Sequence, residues 1–215
     1  MERTDDIDHI VNTLAGRLES SNGAREHALA ESRHLVRSAA VTIRALHRGQ
    51  FREAEENLEA ARHALTNLKA TLSPYPEVYW TGYVQDAQKE IVEAFIVHAF
   101  IADRDIPDPE ELGVESAPYL NGLAEAASEM RRYVLDSIRG GDAQQMQGAE
   151  TILQVMDAVY ANLMAIDFPD AVTGGLRRST DQLRAVLERT RADLTLTVRQ
   201  KQLEQALEHN REFHL

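Results

Sequence analysis

An all-α fold, an antiparallel bundle of about seven helices forming one domain over residues 1–215, is predicted by three features of this sequence. No segment alternates apolar and polar residues over a length that would make a strand. Apolar residues instead recur three and four apart through long stretches, the spacing that lines one face of a helix. Short runs of turn-forming residues join the stretches, and short connections favour antiparallel neighbours.

The first helical segments are Asp5–Ser20 and Ala24–Arg48. Arg48-Gly49-Gln50 makes a tight hairpin into a third, Phe51–Leu72, which Ser73-Pro-Tyr-Pro76 stops. Glu77–Ala102 follows and ends before Asp105-Ile-Pro-Asp-Pro109. Gly140-Gly141-Asp142 closes the next helix, Ala117–Arg139, and caps the start of Ala143–Ile166. The last, Asp170–Glu208, has a break signal at Gly174-Gly175 near its start. It carries Leu176, Leu183, Leu187, Leu194, Val198, Leu203 and Leu207, and is longer than a compact bundle of this size needs. Part of it is therefore expected to pack on another subunit, the alternative being a helix end loose in solvent.

The chain has 215 residues and no cysteine. Disulfides, thiolate nucleophiles and zinc ribbons are thereby excluded, and a reducing compartment, the cytoplasm, is expected. The longest apolar run, Ala94 to Ala102, is interrupted by His98 and is too short to span a bilayer, so no membrane association is expected. The net charge of −12 argues at first against nucleic acid. However, only Lys69, Lys89 and Lys201 of the 23 basic residues are lysines, and an arginine-rich, acid-rich chain suits a high-salt cytoplasm in which acidic surfaces keep proteins soluble. Global acidity then says little about the ligand.

The helix over Glu77–Ala102 is apolar on nearly every side yet carries Glu90-Ile-Val-Glu93, with Asp86 one turn earlier. At 100° per residue Asp86, Glu90, Glu93 and Val97 share a face. A carboxylate in such a helix costs several kcal/mol to bury unless a cation, metal or proton compensates it. Asp157 is a second acid of this kind, on one stripe with Leu153, Tyr160 and Met164, and is expected to face the core. An arginine pairing with Asp157 would explain that residue structurally, whereas two such sites in one bundle favour a shared divalent cation. Carboxylate-only ligation suits Mg²⁺ or Mn²⁺. Di-iron chemistry wants Glu-x-x-His, which is absent; His98 follows Glu93 by five residues and reads as a core or interface histidine.

Arg33, Arg37, Arg44 and Arg48 advance by four, seven and four and span about 60° of a helix. That stripe could follow a phosphate backbone, or could be a solvated face paired with Glu53, Glu55, Glu56 and Glu59 of the next helix. Tyr75, Tyr79, Trp80 and Tyr83 could stack bases or serve as core aromatics at the end of the bundle.

Further motifs run in register: Arg25-Glu-His-Ala-Leu-Ala-Glu-Ser-Arg33 through Leu46-His-Arg-Gly49, Pro118-Tyr-Leu-Asn-Gly122, Ala127-Ser-Glu-Met-Arg131, Asp136-Ser-Ile-Arg-Gly-Gly-Asp142, Leu176-Arg-Arg-Ser-Thr-Asp181 and Glu188-Arg-Thr-Arg191. Through them the chain resembles the translin superfamily from about Arg25 to Arg191. Translin itself binds single-stranded RNA and DNA and lacks the two glutamates. The translin-associated factor X branch has Glu-x-x-Glu there and is a Mg²⁺-dependent endoribonuclease subunit, and this chain is similar to that branch. The resemblance implies Glu90, Glu93 and Asp157 as catalytic metal ligands, with Glu129 as a further ligand, although the phase of Glu129 groups it with Glu125, Arg132 and Asp136 on a polar side. It also implies a closed octamer, built from this one sequence or with a translin-like second subunit, that admits single-stranded RNA and possibly single-stranded DNA. The basic segment that animal translins carry before the acid-bearing helix is here Pro76-Glu-Val-Tyr-Trp80. Two rivals remain from the residues alone: a non-catalytic single-strand binder, and an assembly protein resting on the long terminal helix and acidic surface.

Overall fold

The computed structural model of the protein describes the backbone of residues 2–212 and the side chains of residues 3–209. Every regular element in that range is helical, as expected: α1 (Glu2–His47), α2 (Phe51–Leu72), α3 (Pro76–Tyr79), α4 (Gly82–Ala102), α5 (Pro109–Leu112), α6 (Ser116–Gly140), α7 (Ala143–Leu163), α8 (Asp170–Thr173) and α9 (Leu176–Glu212). The chain divides into two compact units, one formed by Met1–Ala94 with Asp108–Pro118 and the other by Phe95–Pro107 with Tyr119–Leu215.

The two segments expected over Asp5–Ser20 and Ala24–Arg48 are one continuous helix, α1. Ser21, Asn22 and Gly23 lie between them, all weak helix formers. Each nevertheless costs a helix only a fraction of a kcal/mol to about 1 kcal/mol, which is too little to stop a run of this length. Gly23 has no positive φ and Ser20 returns its hydroxyl to the Gly16 carbonyl, so the turn stays helical. Conversely, the helix expected over Glu77–Ala102 is split by a bend at Trp80 and Thr81, where Thr81 Oγ1 donates to the Val78 carbonyl at 2.6 Å. At Gly174-Gly175 both φ values are positive, 61° and 87°, and the expected break falls there. The short α5 was not expected; Asp108 caps it by accepting from Glu111 N at 2.7 Å, and Gly113 closes it in the left-handed region.

In the first unit, Ala28, Leu35, Ala39, Ala45 and Leu46 of α1 and Ala54, Leu58, Ala61, Leu65, Leu68 and Leu72 of α2 form the buried faces of the hairpin. The tight reversal at Arg48-Gly49-Gln50 is closed by Gln50 N on the Ala45 carbonyl. The first half of α4 adds Val84, Ala87, Ile91 and Val92, all fully buried. In the second unit, Ala124 and Ala127 of α6, Val159 and Leu163 of α7 and Leu176 and Leu183 of α9 form a cluster, with Phe100, Leu120, Leu123, Val155, Tyr160 and Ile166 against it.

Candidate metal and nucleic-acid site

Glu90 and Glu93 sit on α4 at a spacing of three, so they share a helix face, and their carboxylate oxygens approach within 4.8 Å of one another. Both are half-buried, held up by the apolar residues around them. Asp86, which the helical phase groups with them, is instead exposed. Lys89 brings a cation to this acid pair. Its Nζ lies 3.2 Å from Glu90 Oε1 and 3.7 Å from Asp86 Oδ1, and its side chain is only 19% exposed. It lies 100° around the helix from Glu90, but a four-carbon stem lets an ammonium reach an adjacent position, which phase alone does not reveal.

The start of α4 is tied to the loop after α5. Gln88, 1% exposed, accepts from Glu115 N at 2.9 Å, while Tyr79 OH donates to Glu115 Oε1 at 2.6 Å. Lys69 Nζ donates to the Gly113 carbonyl at 3.1 Å and lies 3.6 Å from the same carboxylate. Burial, and then the hydrogen bond to Glu115, hold the Tyr79 phenol well above its ordinary pKa.

In the second unit Asp157 does not face the core. It is about half-exposed on α7 and accepts a hydrogen bond from Arg191 of α9. That bond is the main cause raising the Arg191 guanidinium above its ordinary value. Apolar stripe membership misled here because the stripe is wide: Met156 and Val159 occupy the buried centre and Asp157 its edge. Glu125 and Glu129, one turn apart on α6, are both half-buried.

Several residues that carry the family resemblance are structural pins of this unit. Asn121 is 5% exposed; its Nδ2 donates to the Thr173 carbonyl and its Oδ1 accepts from Ser179, each at 2.7 Å. Arg131 donates to Thr190 at 3.2 Å and to Asp193 at 2.8 Å.

Arg33, Arg37 and Arg44 are exposed along α1, with Val41 among them, and Arg48 is exposed just beyond its end. Two of the neighbouring acids engage their own helix: Glu56 pairs with Arg52 at 3.0 Å, and Glu59 with Arg62 at 2.9 Å and His63 at 3.1 Å. Of the four aromatics, Trp80 is exposed, 59%, and stands edge-on to Tyr79 with ring centroids 5.2 Å apart; Tyr75, Tyr79 and Tyr83 are half-buried. His98 is half-buried.

No family model matches the chain. Solved C3PO structures do. AfC3PO in complex with duplex RNA is 34% identical, covers 87% of this chain and 95% of its own, and superposes with a TM-score of 0.81. The crystal structure of AfC3PO alone gives the same identity and TM-score over 87% of this chain and 96% of that one. Apo-NeC3PO, 20% identical with a TM-score of 0.78 over 87% and 96%, shares the fold. An uncharacterized protein of Methanocaldococcus jannaschii is 29% identical over 205 residues, 94% of this chain and 87% of its own. The chain belongs to the translin superfamily, with C3PO chains as its structural relatives. Among the described residues no helix is long and apolar enough to cross a membrane.

Proposed function

We propose that this protein is a divalent-metal-dependent endoribonuclease acting on single-stranded RNA within a closed homo-oligomer, an octamer as the family resemblance implies. The observation that carries this reading is the Glu90–Glu93 pair: two half-buried carboxylates on one helix face, oxygens within 4.8 Å, in a chain of this superfamily. The donor set suits Mg²⁺ or Mn²⁺, which take carboxylate oxygens and keep several waters. Asp157 and Glu129 are proposed as further acids of the site, as the family resemblance implies. Bound there, the ion supplies Lewis-acid stabilisation of a phosphate and a water of lowered pKa. Glu90 and Glu93 hold it by their oxygens. Arg33, Arg37, Arg44 and Arg48 bind flanking phosphates, which positions the strand without reading its sequence. Trp80 offers an open ring face on which a base can stack. The proposed compartment is the cytoplasm, in keeping with the cysteine-free composition.

A second reading, a single-stranded RNA or DNA binder without catalysis, is favoured by one observation: Glu90 and Asp157 each already have a cationic partner, Lys89 and Arg191. The two readings separate in one assay. Labelled single-stranded and duplex RNA are incubated with Mg²⁺, Mn²⁺ or EDTA across a range of KCl, with Glu93→Gln beside the natural protein. Metal-dependent cleavage of the single strand, lost in Glu93→Gln while binding persists, is the expected result. Binding without cleavage at every salt concentration overturns the nuclease and leaves the binder.

A further inference from the structure

The N-terminal portion of α1 carries an uncovered apolar stripe. Ile7, Val11, Leu14 and Leu18 are 60%, 56%, 48% and 71% exposed, and Ile10 beside them is 55% exposed. Their spacing of four, three and four places the first four within about 60° of the helix circumference, the seam by which one helix packs on another. Among the described residues none closes this seam. The side of α1 that faces Pro74, Tyr75 and Glu77 carries Thr13, Gly16, Arg17 and Ser20 instead.

The charge around the stripe selects its occupant. Asp5, Asp6, Asp8 and Glu19 flank it, which disfavours RNA phosphates and an anionic lipid surface alike. Helices that lie on membranes carry Lys and Arg on the polar face, and this one begins with acids. Residues 3–8 hold one arginine and three aspartates, a net −2, whereas residues 17–22 hold Arg17 and Glu19 and are neutral. A parallel pair of these helices would set the two acidic ends together. An antiparallel pair sets each acidic end alongside the neutral stretch of the other that carries Arg17. The apolar register agrees, because in an antiparallel pair Val11 meets Leu14 and Ile7 meets Leu18 of the second copy, two layers on each side of one dyad.

We infer that residues 7–18 of α1 pair antiparallel with the same segment of a second copy of this chain. Five side chains on one short helical stretch make less than the roughly 800 Å² per partner of a standard interface. The contact therefore adds to an assembly held elsewhere as well. It is independent of whether the acids cut RNA.

The absence of cysteine makes the test clean. Ile7→Cys and Leu18→Cys are made singly in the full chain, and each is oxidised alone and after mixing and re-equilibration of the subunits. Antiparallel pairing gives a disulfide joining an Ile7→Cys chain to a Leu18→Cys chain in the mixture. It gives none between two copies of Ile7→Cys, whose substituted positions stand about 16 Å apart along the axis at 1.5 Å per residue. A disulfide between two copies of Ile7→Cys overturns the orientation. No disulfide in any combination overturns the pairing. As a second measurement, Val11→Glu with Leu14→Glu, both at exposed positions that leave folding intact, is expected to abolish the mixed disulfide and lower the solution mass on dilution at least tenfold earlier than in the natural protein. An unchanged mass profile with the mixed disulfide retained would count against the stripe as the contact.

Discussion

The Lys89 ammonium lies 3.2 Å from Glu90 Oε1, so the acid pair of α4 is met by a cation from the adjacent position of its own helix. Any divalent ion at Glu90 and Glu93 shares that carboxylate with Lys89. Lys89→Met is expected to raise the affinity for Mn²⁺ several-fold to about tenfold, a change of about 1.4 kcal/mol at the upper end, in a calorimetric titration. An affinity that falls or stays level would show that no ion binds at Glu90.

Asp157 and Arg191 offer a test that separates chemistry from architecture. Both side chains are about 40% exposed, and an exposed pair of this kind contributes at most about 1 kcal/mol to stability. Arg191→Ala is expected to shift urea unfolding by no more than that. Asp157→Asn is expected to abolish RNA cleavage while unfolding at nearly the same urea concentration. Equal, modest effects of both substitutions on unfolding with cleavage untouched would make the pair purely structural.

Asn121 is the stronger structural pin. Its amide spans the Thr173 carbonyl and the Ser179 hydroxyl from a buried position, and Asn121→Ala leaves a buried carbonyl without its donor. A loss of about 1–3 kcal/mol in urea unfolding is expected.

Tyr79 sets an alkaline limit. Its folded pKa lies above the ordinary tyrosine value because burial and the Glu115 carboxylate disfavour the phenolate, so the folded protein keeps a proton that the unfolded chain gives up. The contribution is present in full below about pH 10 and is lost as pH rises from there through the higher folded value. Tyr79→Phe is expected to remove a late-ionising component from the tyrosine absorbance titration and to flatten the fall in stability above about pH 10.

The arginine stripe predicts a salt dependence. Arg37→Gln with Arg44→Gln should weaken binding of single-stranded RNA regardless of sequence and reduce the slope of log K against log salt by about 1.4, at about 0.7 per phosphate contact. An unchanged slope would make the stripe a solvated face.

Helices and most of their joints were legible because periodicity and turn chemistry are local. The single helix α1 was not, since Ser21, Asn22 and Gly23 lower helix propensity without blocking the helix. The acid pair was legible for the same local reason, its spacing of three. The bond of Asp157 to Arg191, 34 residues later, escaped because it depends on a partner distant in sequence, and Lys89 escaped because helical phase does not show how far a flexible stem reaches. Asn121 and Arg131 stood out as motif residues, yet their hydrogen bonds to Thr173 and Asp193 show that a shared motif can mark a joint between helices as readily as a site.

Gln88 lies one residue before Lys89 and two before Glu90, fully enclosed, with its amide oxygen fixed on the backbone of Glu115. A helix held at that point cannot turn about its own axis, because a rotation of 100° would carry the amide into apolar surroundings and strand the Glu115 N–H. The direction in which the two glutamates point is thus set by an uncharged side chain, and it persists whatever the protonation or ion occupancy of the acids. One residue inserted between Gln88 and Glu90 would leave every carboxylate in the chain and aim these two elsewhere.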